Sequence, residues 1–147
     1  MVSLIVPCYN EQEALPLFYA AVTEVMASIG EDYEILFVND GSKDNTLGIL
    51  RDLAKQDTRV KYLSFSRNFG KEAALLAGLR NASGDFVAII DADLQQRPEI
   101  VRDMVQILDE EPQYDVVAAY QDRRGEGKVL SFFKKSFYAI INKLSKV

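Results

Sequence analysis

The chain has 147 residues, of which 48% are hydrophobic and 27% charged, and this composition is typical of a single globular domain. It contains no His and one Cys, which excludes His-ligated zinc, Ser-His-Asp chemistry and an internal disulfide. The net charge of −5 is uneven, since residues 1–122 hold 10 basic and 21 acidic side chains, whereas residues 123–147 hold 7 basic and 1 acidic.

Short apolar runs alternate with helical patterns along the chain. Five runs of four to six residues are predicted to be strands buried on both faces: Val2–Val6, Ile35–Val38, Val60–Phe65, Phe86–Ile90 and Val116–Ala119. Four segments with apolar residues at i, i+3 and i+4 are predicted to be helices: Glu13–Ile29, Asn45–Lys55, Lys71–Asn81 and Glu99–Glu110. This alternation predicts an α/β fold with a mostly parallel sheet flanked by helices.

Polar side chains follow each of the first four predicted strands, at the edge where parallel α/β sheets bind their ligands. Asp91 and Asp93 are two residues apart at the end of the fourth strand, and Gln95 follows them. Carboxylate and amide oxygens at this spacing suit a hard divalent cation. The structural alternative is that Asp93 caps the next helix and Asp91 is simply exposed.

The other strand ends allow both a functional and a structural interpretation. Tyr9 and Glu11 either stack on and bind a ligand or begin a helix around a buried ring. Asp40 either accepts hydrogen bonds from a base or ribose or belongs to an ordinary turn. Arg67 and Lys71 either neutralise a diphosphate or an anionic acceptor, or form surface salt bridges. No glycine-rich phosphate loop is present, which argues against a dinucleotide or P-loop site.

Four motifs occur in order on successive strand ends: V-P-x-Y-N-E, N-D-G-S-x-D-x-T, S-R-N-F-G-K-E-A-A-L-x-A-G and D-A-D-L-Q. Together they resemble the family 2 glycosyltransferases of the GT-A (Rossmann-like) fold. The resemblance is greatest to the polyprenyl-phosphate group, which includes dolichol-phosphate mannose synthases and bacterial undecaprenyl-phosphate glycosyltransferases. It extends from Ser3 to about Ser145.

The resemblance implies a role for each matching position. The nucleotide-sugar would be bound by Pro7, Tyr9, Glu11, Asp40 and Asp91. A Mg²⁺ or Mn²⁺ ion would be held by Asp93, Gln95 and Asp91. The catalytic set would be Asp91, Asp93, Arg67 and Lys71, and the acceptor phosphate would meet Arg123, Arg124 and Lys134. The implied reaction moves a sugar from a UDP- or GDP-sugar to a polyprenyl phosphate.

The C-terminal part differs in composition from the rest. We expect residues 1–121 to form the nucleotide-sugar-binding core and residues 122–147 a basic loop and an amphipathic helix near the acceptor and the membrane. Family members continue beyond this point, so the resemblance implies that the chain is truncated at its C-terminus. We expect no signal peptide or transmembrane helix within it, and a location on the cytoplasmic side of the cell membrane for the intact protein, this chain itself being soluble.

Several alternatives stay open at this point. The acceptor is either the phosphate of a polyprenyl lipid or a sugar hydroxyl, as in polysaccharide synthesis. The truncated chain is either active or an inactive nucleotide-binding fragment. The apolar face of the C-terminal segment packs on the sheet or on the remainder of the protein, meets the membrane, or forms a homo-oligomer. A phosphoacceptor signalling module fits less well, because it needs an acidic pair where Cys8, Tyr9 and Asn10 stand. No nucleic-acid partner is expected.

Overall fold

The predicted parallel sheet is present in the computed structural model, which describes residues 1–119. The strands are β1 (Val2–Cys8), β2 (Tyr33–Asn39), β3 (Val60–Ser64) and β4 (Phe86–Ile89). The helices are α1 (Leu15–Ile29), α2 (Thr46–Gln56), α3 (Lys71–Asn81) and α4 (Glu99–Glu110). All strand pairs are parallel, in the order β3-β2-β1-β4, and the elements lie within the unit Met1–Val117.

The helix boundaries agree with the sequence patterns to within two residues. The first helix begins at Leu15 rather than Glu13 and has Pro16 in its first turn. The N–H groups of a first turn have no acceptor within the helix, so a proline, which lacks this group, costs no hydrogen bond there. It ends at Gly30, whose φ of 80° is a left-handed conformation that glycine adopts without steric cost. No helix within residues 1–119 combines the length and the hydropathy required to cross a bilayer.

The two faces of the sheet carry separate cores, because alternate strand residues point in opposite directions. The larger core joins one face, including Leu4 and Phe37, to α1, α2 and α4. On the other face, Ile5 and Val38 pack against Ala74 of α3. The third helix lies so close to β1 that a Cβ on Gly78 would come within 2.4 Å of the Ile5 side chain.

The prediction of a fifth strand at Val116–Ala119 is wrong. Residues 116–119 form no strand, and Val116 is 79% exposed. An apolar run becomes a strand only when a neighbour supplies the ladder hydrogen bonds, and this run pairs with none of the four described strands. The face of β4 on the α3 side is likewise open, with Val87 40% and Ile89 42% exposed.

The amino ends of the strands are joined by a buried carboxylate. Glu34 is 3% exposed, and its Oε1 accepts hydrogen bonds from the Ser3 hydroxyl at 2.5 Å and the Ser83 N–H at 2.7 Å. Its Oε2 lies 2.6 Å from Nζ of Lys61. Burial by itself raises the pKa of Glu34, but the hydrogen bonds from Lys61, Ser3 and Ser83 outweigh it and lower that pKa to about 2.

We predict that Glu34→Gln destabilises the protein near neutral pH by an amount on the order of 3 kcal/mol, as the lowered pKa implies. Because the folded-state pKa lies below the ordinary value of 4.5, this stabilisation is present above pH 4.5 and is lost as the pH falls toward 2. Urea unfolding of wild type and variant at several pH values measures the difference, which is expected to shrink on acidification.

The matched control is Glu24→Gln, which removes the same charge from an exposed position on α1. Its unfolding free energy is expected to stay within about 0.5 kcal/mol of wild type. A Glu34→Gln variant as stable as this control at neutral pH would contradict the role assigned to the buried carboxylate.

Candidate functional site

The carboxyl ends of the four strands surround an open cleft of about 370 Å³. Seven of the predicted site residues line it, contributed by all four strand ends. The lining is completed by a thiol, two alanines, an asparagine and a glycine. Its residues are Pro7, Cys8, Tyr9, Glu11, Asp40, Asn68, Gly70, Lys71, Ala74, Asp91, Ala92 and Asp93.

Two predicted site residues do not line the cleft. Arg67 places its guanidinium 4.5 Å from the centre of the Phe69 ring, which packs edge-on against Phe65. Gln95 follows Asp93, and its backbone N–H donates to the Asp93 carboxylate. The predicted acceptor-phosphate residues lie outside the described part of the chain: Arg123, Arg124 and Lys134.

The Asp40 carboxylate ties the end of β2 to the loop after β3. It is 4% exposed, and its two oxygens accept the N–H groups of Phe69 at 2.7 Å and Gly70 at 2.9 Å. The next residue, Gly41, has a φ of +66°, and a Cβ there would lie 2.3 Å from the backbone carbon of Arg67. Only glycine permits this approach, so the two loops form one rigid wall of the cleft.

Asn10 joins the loop after β1 to the loop after β2. Its φ of 58° is left-handed, a conformation that Asn tolerates better than most residues. Its N–H donates to the Ser42 hydroxyl at 2.9 Å, and its side-chain oxygen accepts the Lys43 N–H at 2.8 Å. Because Tyr9 and Glu11 flank it, these bonds fix both neighbours at the rim of the cleft.

Three more hydrogen bonds join the same two loops. The Glu11 N–H donates to the Thr46 hydroxyl at 2.8 Å, and the Gln12 N–H donates to Asp44 at 3.1 Å. The Gln12 side chain accepts the Asn45 N–H at 3.0 Å in return. The sequence predicted polar strand ends but not this pairing, which depends on the adjacency of β1 and β2.

The charged groups of the cleft are mostly acidic. Among the described lining residues, four carboxylates (Glu11, Asp40, Asp91 and Asp93) face one ammonium, that of Lys71. The Lys71 Nζ lies 2.6 Å and 2.8 Å from the two oxygens of Asp91. Burial raises the pKa of Glu11, and the negative charges of Asp93, Asp44 and Asp91 raise it further. The cleft therefore carries excess negative charge.

Asp93 is the carboxylate best placed to bind a cation. It is exposed to the cleft and forms no ion pair with any side chain in residues 1–119. Leu94, directly after it, has a φ of 57°, a strained conformation for a leucine, and strain of this kind is concentrated at functional sites. No sequence pattern predicted this strained residue.

The donor set fits a magnesium- or manganese-type ion. Within the described residues no group of three or more His, Cys, Asp or Glu side chains is placed to enclose a metal. Mg²⁺ typically takes one or two carboxylates and completes its shell with water and substrate phosphates, which matches Asp93 and Asp91 at an open cleft.

Cys8 is unsuited to nucleophilic chemistry. Its side chain is 2% exposed, and its Sγ donates to the Val6 carbonyl at 3.4 Å. Burial raises the pKa of the Cys8 thiol, and the nearby charges of Glu11 and Asp91 raise it further. The thiol stays protonated and serves as packing at the floor of the cleft.

Comparison with known proteins identifies the family of the chain. The sequence model described as glycosyl transferase family 2 matches residues 3–145. The bactoprenol glucosyl transferase of Shigella phage SfV is 44% identical over 144 residues, which are 98% of this chain and 47% of that protein. An uncharacterized glycosyltransferase of Bacillus subtilis, YkcC, is 44% identical over 142 residues, 97% of this chain and 42% of that protein. The chain spans less than half the length of both relatives.

A solved structure extends the similarity to the fold. The mannosyltransferase PcManGT from Pyrobaculum calidifontis, in complex with GDP-Man and Mn²⁺, matches with a TM-score of 0.61 and 28% identity. The match covers 73% of this chain and 32% of that chain. The expected Rossmann-like GT-A arrangement is therefore confirmed for the described sheet and its flanking helices.

We predict that Asp40→Asn destabilises the protein by about 1–3 kcal/mol. An amide accepts through only one of its two end groups, so either the Phe69 or the Gly70 N–H loses its partner in a buried setting. Urea unfolding followed by circular dichroism measures the change. The control, Asp52→Asn, removes an exposed carboxylate and is expected to cost less than about 0.5 kcal/mol. Equal stability of the two variants would contradict the assignment.

Proposed function

The chain belongs to glycosyl transferase family 2, and we propose that its cleft binds a nucleoside-diphosphate sugar, UDP- or GDP-linked, for transfer of the sugar to a polyprenyl phosphate. The observation that carries the proposal is the cleft at the strand ends, where Asp91, Asp93 and Lys71 meet at an open surface. The name of the phage relative, a bactoprenol glucosyl transferase, supports a polyprenyl-phosphate acceptor.

The charge of the cleft supports a metal-dependent donor site. A diphosphate is anionic, and the described lining holds four carboxylates against one ammonium, so the two would repel without a cation between them. When bound, Mg²⁺ or Mn²⁺ supplies charge stabilisation to the departing diphosphate. Asp93 and Asp91 would hold the ion, with Gln95 close behind Asp93. The Mn²⁺ and GDP-Man in the mannosyltransferase structure are in keeping with this chemistry.

The nucleoside would lie against the loops that follow β1 and β2. Tyr9 is 40% exposed at the rim and offers an aromatic face for stacking, and Pro7 lines the same cleft. Glu11 faces the same space. Asp40 acts first by fixing the loop after β3, and a carboxylate with one hydrogen bond on each oxygen still has accepting capacity for a ribose hydroxyl or a base N–H.

The chemistry of the acceptor favours a phosphate over a sugar hydroxyl. A sugar hydroxyl is far less acidic than a phosphate monoester and would need a positioned carboxylate as its general base, because the sequence has no His. A phosphate monoester has a second pKa near about 6, so it is largely deprotonated at neutral pH and needs no base to attack the anomeric carbon. Arg123, Arg124 and Lys134 would meet this phosphate at the cytoplasmic face of the membrane, with residues 122–147 as the membrane-proximal segment.

The experiment is calorimetric titration of the chain with UDP and with GDP, each in Mn²⁺ and in EDTA. We expect one nucleotide to bind in Mn²⁺ and its affinity to fall roughly tenfold or more in EDTA, because the acidic cleft then repels it. Asp93→Asn is expected to lose the same affinity even in Mn²⁺.

The matched control is Asp109→Asn, which removes an exposed carboxylate on α4 far along the chain from the cleft. It is expected to bind as wild type does. Equal binding in Mn²⁺ and EDTA, or an Asp93→Asn variant that binds as well as the control, would refute the metal-dependent site. Absence of binding by both nucleotides would refute the donor site in this chain.

A further inference from the structure

The ion pair between Lys71 and Asp91 occupies the carboxylate that a metal ion would need. Both Asp91 oxygens lie within 2.8 Å of the Lys71 Nζ. An ion bound to Asp91 would have to displace the ammonium from at least one oxygen. Asp93, by contrast, has no cationic partner within residues 1–119. Before any ligand binds, Asp91 is therefore ion-paired, whereas Asp93 is available to a cation.

Lys71 is also placed to meet an anion. It is the first residue of α3, where the first N–H groups have no intrahelical acceptor and the helix dipole favours negative charge. Its side chain is 53% exposed, so the ammonium can turn on its flexible stem without leaving a buried position. Of the cations in the described lining, it alone can approach a bound diphosphate.

We propose that Lys71 is a positioning residue that exchanges partners during donor binding. In the free protein its ammonium holds Asp91, and arrival of the divalent ion at Asp91 and Asp93 releases it to the diphosphate. This inference rests on the proposed donor site. Before the nucleotide binds, Lys71 competes with the metal ion for Asp91. After the nucleotide binds, Lys71 contacts the diphosphate and stabilises it.

The exchange follows from the charges involved. A divalent cation that shares Asp91 and Asp93 cancels the two negative charges of these carboxylates, which removes most of the attraction that holds the Lys71 ammonium at Asp91. The diphosphate then offers the nearest negative charge at the N-terminal end of α3. A permanent salt bridge, whose role is only to tie α3 to the end of β4, would instead stay closed in every state.

The first test uses Lys71→Gln and measures the affinity for Mn²⁺, which is expected to rise, and the affinity for the nucleotide, which is expected to fall. In a titration with Mn²⁺ alone, the variant is expected to bind Mn²⁺ about fivefold more tightly than wild type does, because the half-exposed Lys71 ammonium no longer competes for Asp91. Titrated with UDP and with GDP in saturating Mn²⁺, it is expected to bind the preferred nucleotide roughly tenfold more weakly. Circular dichroism checks that the variant is folded.

The matched control is Arg80→Gln, because Arg80 is an exposed cation in the last turn of the same helix. It removes the same charge far from the cleft, so it measures the general electrostatic effect. If the two variants change Mn²⁺ affinity equally, competition by Lys71 is overturned. If Lys71→Gln leaves nucleotide affinity unchanged, the second half of the exchange is overturned.

A second test follows the ammonium directly, through labelling of Lys71 by an amine-reactive reagent and mass spectrometry. We expect slow labelling in the free protein, faster labelling in Mn²⁺ alone and slow labelling again in Mn²⁺ with nucleotide. Equal labelling with and without Mn²⁺ would mean a permanent salt bridge and overturn the inference. Faster labelling in Mn²⁺ combined with no nucleotide binding by wild type would uphold the metal-driven release and count against the donor site alone.

Discussion

The cleft depends on one interaction, the buried carboxylate of Asp40 with the backbone amides of Phe69 and Gly70. The bonds hold the loop after β3 against the end of β2, and Gly41 permits the close backbone contact beside them. Because Lys71 follows Gly70 directly, this anchor also sets the start of α3. A buried charge is tolerated here since both oxygens are satisfied. The cleft wall is thus fixed before any ligand binds.

The electrostatics of the cleft give the site its chemical character. The carboxylates outnumber the cations of the described lining, so the free cleft has an excess of negative charge. Lys71 neutralises Asp91 but leaves Asp93 available. In the proposed donor site, this inequality would lead the ion to bind first and the diphosphate second. The opposite end of the sheet shows the contrasting arrangement, because Glu34 there is buried and ion-paired with Lys61, and serves stability.

The sequence predicted the sheet and the helices, because continuous apolar runs and helical periodicity are local signals. Seven of the residues singled out at the strand ends line the cleft. The prediction failed at Val116–Ala119, where an apolar run has no strand to pair with. The site was harder, since carboxylates look alike in a sequence. Only tertiary structure turns Asp40 toward two amides and Arg67 onto the Phe69 ring. The bonds of Asn10 likewise require β1 and β2 to be neighbours.

The most direct measurement follows the backbone amide signals of the chain by NMR while Mg²⁺ and then UDP or GDP are added. The mass of 16.5 kDa is well within the range of this method. We expect Mg²⁺ alone to shift the signals around Asp93 and Lys71, and the nucleotide to extend the shifts to Tyr9. Signals of Ser83 and Gly84, at the opposite end of the sheet, are expected to stay in place. Shifts concentrated at that opposite end, or none at the cleft with either ligand, would contradict a metal-dependent nucleotide site at the carboxyl ends of the strands.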